Sequence, residues 1–267
     1  MNQILRFFPH HRRYVEPFGG SAAVLLNKPE SYVEVFNDLD DDVVHFFRTV
    51  REQREALQEW LRMVPYSESV HNDWQDDFFA GKRPDDDIER AGRWFYLRYT
   101  TYGGSAGRRA GFKRPGKRNE ARSLRGSIDS LDAVVERFQE VTIAKEDYQT
   151  VLDRYDHDET LFYLDPPYLN PGEQYYPAAD DFDQSEFVDA LRDRDGYWIV
   201  SAGDLPAGLR DVSTEVVEFT ARYSLPNAVT EARQETKERL AMNFEPSETP
   251  RFAPVGQQTL EVFPDDQ

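Results

Sequence analysis

The chain has 267 residues, a formal charge of −18 at neutral pH and no cysteine. This composition excludes disulfides, cysteine nucleophiles and zinc sites built on sulfur. The five histidines show no metal-ligand spacing. No apolar run is long enough to cross a bilayer, and residues 1–10 lack the layout of a secretory signal. We therefore expect a soluble, cytoplasmic protein without a bound metal, built as one α/β domain with an insertion.

The negative charge is spread along nearly the whole chain, and only six of the 32 basic residues are lysine. A nucleic-acid partner normally requires a basic surface, so composition by itself argues against one. However, this pattern is typical of a halophilic protein. At about 1 M salt the Debye length is only about 3 Å, so distributed negative charge hardly repels a polyanion. Composition leaves open both a halophilic protein that binds nucleic acid and an ordinary acidic protein that avoids it.

Short apolar runs alternate with helical patterns along the chain. Apolar residues at helical spacing follow two of the runs, at residues 43–50 and 187–191. Such alternation predicts an α/β fold in which a parallel sheet of about seven strands is covered on both faces. In chain order, the predicted strands are residues 13–18, 32–36, 141–144, 161–164, 197–201, 216–219 and 240–244.

A largely helical stretch of about a hundred residues separates the second predicted strand from the third. We predict an inserted lobe at residues 51–140, which divides the α/β domain into residues 1–50 and 141–245. Residues 246–267 contain four prolines and are expected to form an irregular tail.

The inserted lobe contains a basic segment, residues 98–125, with nine basic residues and one acid, Glu120. A loop is predicted from Tyr102 to Arg125. Its glycines and aromatic residues favour a nucleic-acid contact surface over a solvated linker, which is the alternative. The candidate DNA-binding residues are Arg108, Arg109, Lys113, Arg114, Lys117 and Arg118.

The sequence Asp165-Pro166-Pro167-Tyr168 follows directly on the predicted strand 161–164. Open α/β sheets bind ligands at the carboxyl ends of their strands. Because two successive prolines fix φ and remove two N–H donors, the turn is held extended and the Pro166 carbonyl is available as an acceptor. The Asp165 carboxylate adds a second acceptor, and Tyr168 offers a flat ring. An Asp-Pro turn without function is the alternative.

A glycine turn, residues 18–22, lies between the first strand and a helix. Glycines let a ligand approach the backbone beneath a helix N-terminus. Asp38 lies just after the second strand, where nucleotide-binding folds place a carboxylate that binds ribose. Three further acids, residues 40–42, follow it, so Asp38 could instead be one of four acids that begin a helix.

These features together resemble the family of adenine-specific DNA methyltransferases typified by the bacterial DNA adenine methylase. The resemblance covers most of the chain, from Tyr14 to about Glu245, and implies a Rossmann-like methyltransferase fold with a target-recognition lobe. It implies S-adenosyl-L-methionine as cofactor and double-stranded DNA as partner, with a flipped-out adenine methylated at N6. The segments that carry it are residues 15–27, 35–50, 96–112, 161–168 and 237–244.

The resemblance also implies roles for single residues. Asp38 would bind the ribose hydroxyls, and Asp147, on a looser alignment, would approach the cofactor adenine. Asp165, Pro166 and Tyr168 match the catalytic motif, where two acceptors on the amine N–H groups would favour the pyramidal nitrogen that attacks a methyl group. The cofactor-binding residues implied in this way are Phe18, Gly19, Gly20, Asp38, Asp147 and Asp165.

The chain departs from the family pattern at two places. Ala22 stands where a second glycine is usual, and we expect the turn to be preserved. The family's Gly-Gly-Lys segment is missing from residues 1–12. This absence indicates a start recorded too late, a pocket completed in another way, or weak cofactor binding.

Three other functions stay open at this point. The same chemistry serves N4 of cytosine or an RNA base, although enzymes for cytosine more often have Ser in place of Asp165. A catalytically inactive DNA-binding relative is the third alternative, and the missing Gly-Gly-Lys segment favours it.

Overall fold

The computed structural model describes residues 2–102, 109–116, 118–167, 182–222 and 235–246. Seven strands form one mixed sheet, and each corresponds to a predicted strand. The largest shift is at the last strand, which begins at Glu235 and ends at Met242. The strands are β1 Arg13–Glu16, β2 Val33–Asn37, β3 Val141–Ala144, β4 Thr160–Leu164, β5 Tyr197–Ala202, β6 Glu215–Arg222 and β7 Glu235–Met242.

Helices connect most of the strands. In the described part of the chain they are α1 Asn2–Leu5, α2 Ala23–Asn27, α3 Asp41–Met63, α4 Glu68–Phe79, α5 Asp87–Thr100, α6 Glu120–Asp129, α7 Leu131–Phe138, α8 Tyr148–Tyr155, α9 Gln184–Ala190 and α10 Leu209–Val212. None of these helices has the length and apolar composition needed to cross a membrane.

The strand order is β3-β2-β1-β4-β5-β7-β6. The first five strands run parallel, and β7 lies antiparallel between β5 and β6. From β1 the chain moves outward through β2 to β3, and then returns to place β4 on the other side of β1. The direction of winding therefore reverses between β1 and β4, and such a switch point opens a ligand crevice at the carboxyl ends of the strands.

Alternate residues of the strands enter two apolar cores, one on each face of the sheet. Tyr14 and Phe36 belong to the first core, which α2, α3, α5 and α7 cover. Val15 and Val35 belong to the second core, under α8, α9 and α10. All five residues of β4 are buried, as expected for a strand that helices cover on both faces.

The predicted boundary after residue 50 falls within α3, a single helix that is kinked at Gln53. Helices on both sides of this boundary share the first core with the sheet. The lobe is also attached through a buried carboxylate, since Glu34 of β2 accepts hydrogen bonds from Lys28 (2.5 Å) and Arg137 of α7 (2.8 Å). Of the predicted tail, residues 247–267 lie outside the described residues.

Candidate cofactor and catalytic site

The glycine turn leaves β1 at the switch point and passes very close to β2. The Gly19 N–H donates to the Asn37 carbonyl oxygen at 2.7 Å. A Cβ atom on Gly19 would lie 2.2 Å from the Phe36 ring, so glycine is required there by space. Gly20 and Ala22 both have positive φ, 49° and 56°, and Ala22 caps α2 in the left-handed conformation. The turn therefore forms with alanine at this position.

Asp38 binds the glycine turn directly. Its Oδ2 accepts from the Gly20 N–H at 2.7 Å, and its Oδ1 accepts from the Asp40 N–H at 2.8 Å. Burial raises the pKa of Asp38 to about 6, and these two hydrogen bonds oppose that rise. Asp38 therefore holds a carboxylate at the end of β2, in direct contact with the glycine turn.

The three acids after Asp38 have other partners. Asp40 is the N-cap of α3 and accepts from the Asp42 N–H at 2.8 Å. Asp41 pairs with Arg90 at 2.7 Å and with Lys145. Asp42 is buried, and it pairs with Arg90 at 2.6 Å and with Arg83 at 2.7 Å. Asp38 precedes the helix and does not take part in these ion pairs, although it accepts from the Asp40 N–H.

At the end of β3, Asp147 is the N-cap of α8 and accepts from the Gln149 N–H at 2.9 Å. Next to it the ring of Tyr148 packs on Phe18, with 5.3 Å between centroids, and Phe182 packs on both. The ends of β1 and β3 thus meet in an aromatic cluster beside the glycine turn.

Sequence reasoning missed Asn37, the last residue of β2, which is fully buried. Its Nδ2 donates to the carbonyl oxygens of Pro17 and Glu146, both at 2.9 Å, and its Oδ1 accepts from the Glu146 N–H at 2.8 Å. The only available signal was an amide residue closing a strand whose preceding residues are largely apolar.

The predicted catalytic turn follows β4 directly. The Asp165 side chain is exposed, Pro166 is buried and Pro167 is partly buried. Tyr168 lies outside the described residues. Tyr163 lies two residues before Asp165 on the same face of β4 and is buried. Burial and the neighbouring Asp165 charge raise the pKa of Tyr163. Since β1 lies between β2 and β4, about 10 Å separates the strand ends that carry Asp38 and Asp165.

The basic segment is held at its base by a bridge between Thr101 and Phe112. The exposed Arg109 pairs with Asp76 on α4, and the exposed Arg114 pairs with Glu68 at 2.7 Å. Arg109 and Arg114 expose 56% and 74% of their side chains, and Arg118 is exposed as well. Arg108 and Lys117 lie outside the described residues.

One expectation for the basic segment needs correction. The loop does not extend to Arg125, because α6 begins at Glu120, where the Asn119 side chain caps the helix by accepting from the Arg122 N–H at 3.0 Å. Lys113 is only 18% exposed and pairs with the buried Glu120 at 3.2 Å. Its ammonium group therefore has a partner within the lobe and is less exposed than Arg109 and Arg114, and its assignment to DNA stays a prediction.

Within the part of the chain that the structure describes, no cluster of three or more His, Asp or Glu side chains could hold a metal ion. The groups that the carboxyl edge brings together are a glycine turn, single carboxylates and aromatic rings. A switch point with a carboxylate after β2 is typical of α/β proteins that bind nucleotides or related cofactors.

The chain belongs to the D12 class N6 adenine-specific DNA methyltransferase family, whose family model matches residues 1–215. This match confirms the resemblance inferred from the sequence and, with the seven-stranded sheet, the predicted Rossmann-like fold.

Individual relatives share limited identity with the chain. It is 26% identical to the Type II methyltransferase M.MjaIII of Methanocaldococcus jannaschii over 171 residues. The matched segment covers 59% of this chain and 58% of that protein. The chain is 30% identical over 112 residues to the DNA N-6-adenine-methyltransferase of Escherichia phage P1, 39% of this chain and 14% of that protein. The Type II methyltransferase M.CviBI of Paramecium bursaria Chlorella virus NC1A is 21% identical over 159 residues, 58% of both. The matches thus span less than two thirds of each relative.

Proposed function

We propose that this chain transfers a methyl group from S-adenosyl-L-methionine to the N6 amine of a flipped-out adenine in duplex DNA. One observation carries the proposal. The Asp165-Pro166-Pro167 turn and the Asp38 carboxylate end two strands on either side of β1, at the switch point of the sheet. Family membership supplies the reaction class that this arrangement serves.

The residues at the carboxyl edge fit the cofactor. Gly19 packs against Phe36 with no room for a Cβ, whereas the space around Gly20 is open, so a ligand can approach the turn at Gly20. Asp38 keeps a carboxylate available for ribose hydroxyls, since each of its oxygens can accept further hydrogen bonds. Asp147 and the Phe18 ring, at the ends of β3 and β1, are assigned to the adenine end. When bound, the cofactor supplies an electrophilic methyl group on a sulfonium centre.

Asp165 and the Pro166 carbonyl then act on the target amine. Each of these two groups accepts a hydrogen bond from one amine N–H. The two hydrogen bonds draw the nitrogen lone pair out of conjugation with the ring and direct the lone pair toward the methyl carbon. The N–C bond would form at the expense of the bond between the methyl carbon and sulfur, and the proton that the nitrogen gives up would pass to solvent through the Asp165 carboxylate. Tyr168 is assigned to stack on the flipped base.

DNA is assigned to the basic segment. Arg109, Arg114 and Arg118 are exposed, and the first two are held by exposed acids. Exposed ion pairs contribute at most about 1 kcal/mol, so phosphate groups can replace these acids at little cost. Arg108 and Lys117 are assigned to the same surface from the sequence.

The proposal is tested by methyl transfer in vitro. The protein is incubated with labelled cofactor and either duplex DNA or RNA, and the modified nucleosides are identified by mass spectrometry. N6-methyladenine from DNA is the expected product. N4-methylcytosine or a methylated RNA base would transfer the assignment to one of those substrates. Absence of both transfer and cofactor binding in an equilibrium titration would identify an inactive DNA-binding relative.

A further inference from the structure

Asn37 makes a set of hydrogen bonds that no assigned role explains. It is buried at the end of β2, the strand between β1 and β3. Its side chain reaches Pro17 on one side and Glu146 on the other, residues that lie 20 and 109 positions away in the chain. One amide therefore connects the ends of three parallel strands.

The bonded groups precede the proposed cofactor residues by one position along the chain. Pro17 precedes Phe18, Glu146 precedes Asp147, and Asn37 itself precedes Asp38. The Asn37 carbonyl oxygen also accepts from the Gly19 N–H at 2.7 Å.

The orientation of the amide follows from its partners. Nδ2 faces two carbonyl oxygens and Oδ1 faces the Glu146 N–H, so a flipped amide would oppose acceptor to acceptor. An aspartate at this position has no donors for the two carbonyl groups. A serine is too short to reach both neighbours.

We infer that Asn37 is a positioning residue that fixes the relative placement of the glycine turn, Asp38 and Asp147, and thereby sets cofactor affinity. This inference rests on the proposed function, because it assumes that those three groups bind the cofactor. Asn37 itself is buried and acts through the backbone of its neighbours.

Asn243 provides a matched control at the opposite edge of the sheet. Its Oδ1 accepts from the Trp198 N–H at 2.8 Å, and its Nδ2 donates to the Gly196 carbonyl oxygen at 2.9 Å. Its amide thus also bonds a backbone N–H and a backbone carbonyl group, but both partners lie in one segment at the amino end of β5. A general loss of stability should follow from either Asn→Asp change, whereas loss of cofactor affinity should follow only at position 37.

The experiment measures the dissociation constant for S-adenosylhomocysteine, the thermal midpoint and amide hydrogen exchange in the full chain. Asn37→Asp should weaken binding by about tenfold or more, since it leaves two buried carbonyl groups without donors. It should also speed exchange at Gly19 and Glu146 together. Asn243→Asp should lower the thermal midpoint without changing the dissociation constant or the exchange at Gly19 and Glu146. Unchanged affinity and unchanged exchange in Asn37→Asp would overturn the inference.

Two further outcomes are distinguishable. If the unsubstituted chain binds neither the cofactor nor its product, the proposed function fails, while hydrogen exchange still tests the connection between the strands. If Asn37→Asp does not fold, Asn37→Ser is used in its place. Native-state hydrogen exchange of the unsubstituted chain then decides whether the strand ends are connected. Gly19 and Glu146 opening with one free energy supports the inference, and separate opening contradicts it.

Discussion

The carboxyl edge of the sheet and the basic segment hold their charged groups in different ways. At the edge, Asp38 is partly buried and receives hydrogen bonds from the backbone of two elements. In the basic segment, Arg109 and Arg114 are exposed and pair with exposed acids. The first arrangement is preorganised before any ligand arrives. The second consists of weak, salt-sensitive pairs that a polyanion can displace.

This difference separates the expected effects of mutation. Substitutions at the carboxyl edge should be large, specific to cofactor or chemistry, and nearly independent of salt. Substitutions in the basic segment should be smaller, confined to DNA affinity, and strongly dependent on salt. Single and double variants can test this contrast, from the largest expected effect to the smallest.

Asp165→Ala should reduce the methyl-transfer rate by about a hundredfold or more, because it removes one of two preorganised acceptors at the target amine. The thermal midpoint should change little, since the side chain is exposed. Single-turnover transfer and thermal unfolding measure the two effects. Retention of more than about a tenth of the rate would refute the role of Asp165.

Asp38→Ala should weaken cofactor binding by roughly 1.5 to 3 kcal/mol, the contribution of a charged hydrogen bond, and weaken DNA binding much less. Isothermal titration with cofactor and with DNA separates the two affinities. An unchanged cofactor affinity would show that Asp38 only holds the Gly20 and Asp40 N–H groups.

Cofactor affinity should also fall as the pH decreases through about 6. Protonation, which begins near the raised pKa of Asp38, removes the charged acceptor for the ribose hydroxyls. Burial raises the pKa of Asp40 as well, whereas that of Glu16 is raised to about 8, above this range. Titrations between pH 5 and 7 on the unsubstituted chain and on Asp38→Asn isolate the step. The same pH dependence in both would assign it to another group.

Gly19→Ala and Gly20→Ala should differ although the residues are adjacent. A methyl group on Gly19 meets the Phe36 ring, which is fully buried and packs on Phe47 at 4.7 Å between centroids. We expect a loss of roughly 1–3 kcal/mol in unfolding free energy, and a displaced turn. Gly20 has open space around it, and its substitution should cost only about 1 kcal/mol for positive φ.

Chemical denaturation of both variants measures these costs, and titration with cofactor shows whether the turn has moved. Equal stability of the two variants would mean that Phe36 can yield, so that the close approach of Gly19 is not required.

Arg109→Gln with Arg114→Gln should lower DNA affinity and leave cofactor affinity unchanged. If both side chains bind phosphate, the slope of log affinity against log salt should flatten by about 0.9 for each phosphate group that the variant no longer neutralises. Because an acidic protein can take up cations on binding, only the difference from the unsubstituted chain is interpreted.

The matched control is Arg12→Gln with Arg192→Gln. These arginines are also exposed, at 54% and 53%, and pair with Glu159 and Asp189 outside the basic segment. The control makes the same change in net charge and should leave the slope unchanged. Equal slopes in both double variants would indicate that DNA lies elsewhere or is attracted by overall charge alone.

Local sequence patterns were sufficient for most of the sheet because β1 to β5 are short, largely apolar runs. They placed the start of β7 five residues late, because this strand begins with polar and charged residues. They also located Asp38 and Asp165, since the carboxyl ends of parallel strands meet at one edge. They could not separate Lys113 from Arg109, because the difference lies in their partners, the buried Glu120 and the exposed Asp76.

Asn37 was missed for a related reason. Its partners are distant in sequence, and a polar residue at a strand end is ordinary in the chain pattern. The end of the predicted loop was wrong because Asn119 is a helix N-cap, a signal that the surrounding positive charge concealed.

In the proposed reaction, the turn that carries Asp165 promotes the methylation of adenine in DNA. Sequencing that detects methylated bases tests this claim most directly, on DNA from a host without adenine methylation that expresses either the unsubstituted chain or Asp165→Ala. We predict N6-methyladenine within a recurring sequence in the first sample and none in the second. Methylated cytosine, or adenine methylation of equal extent in both samples, would contradict the claim.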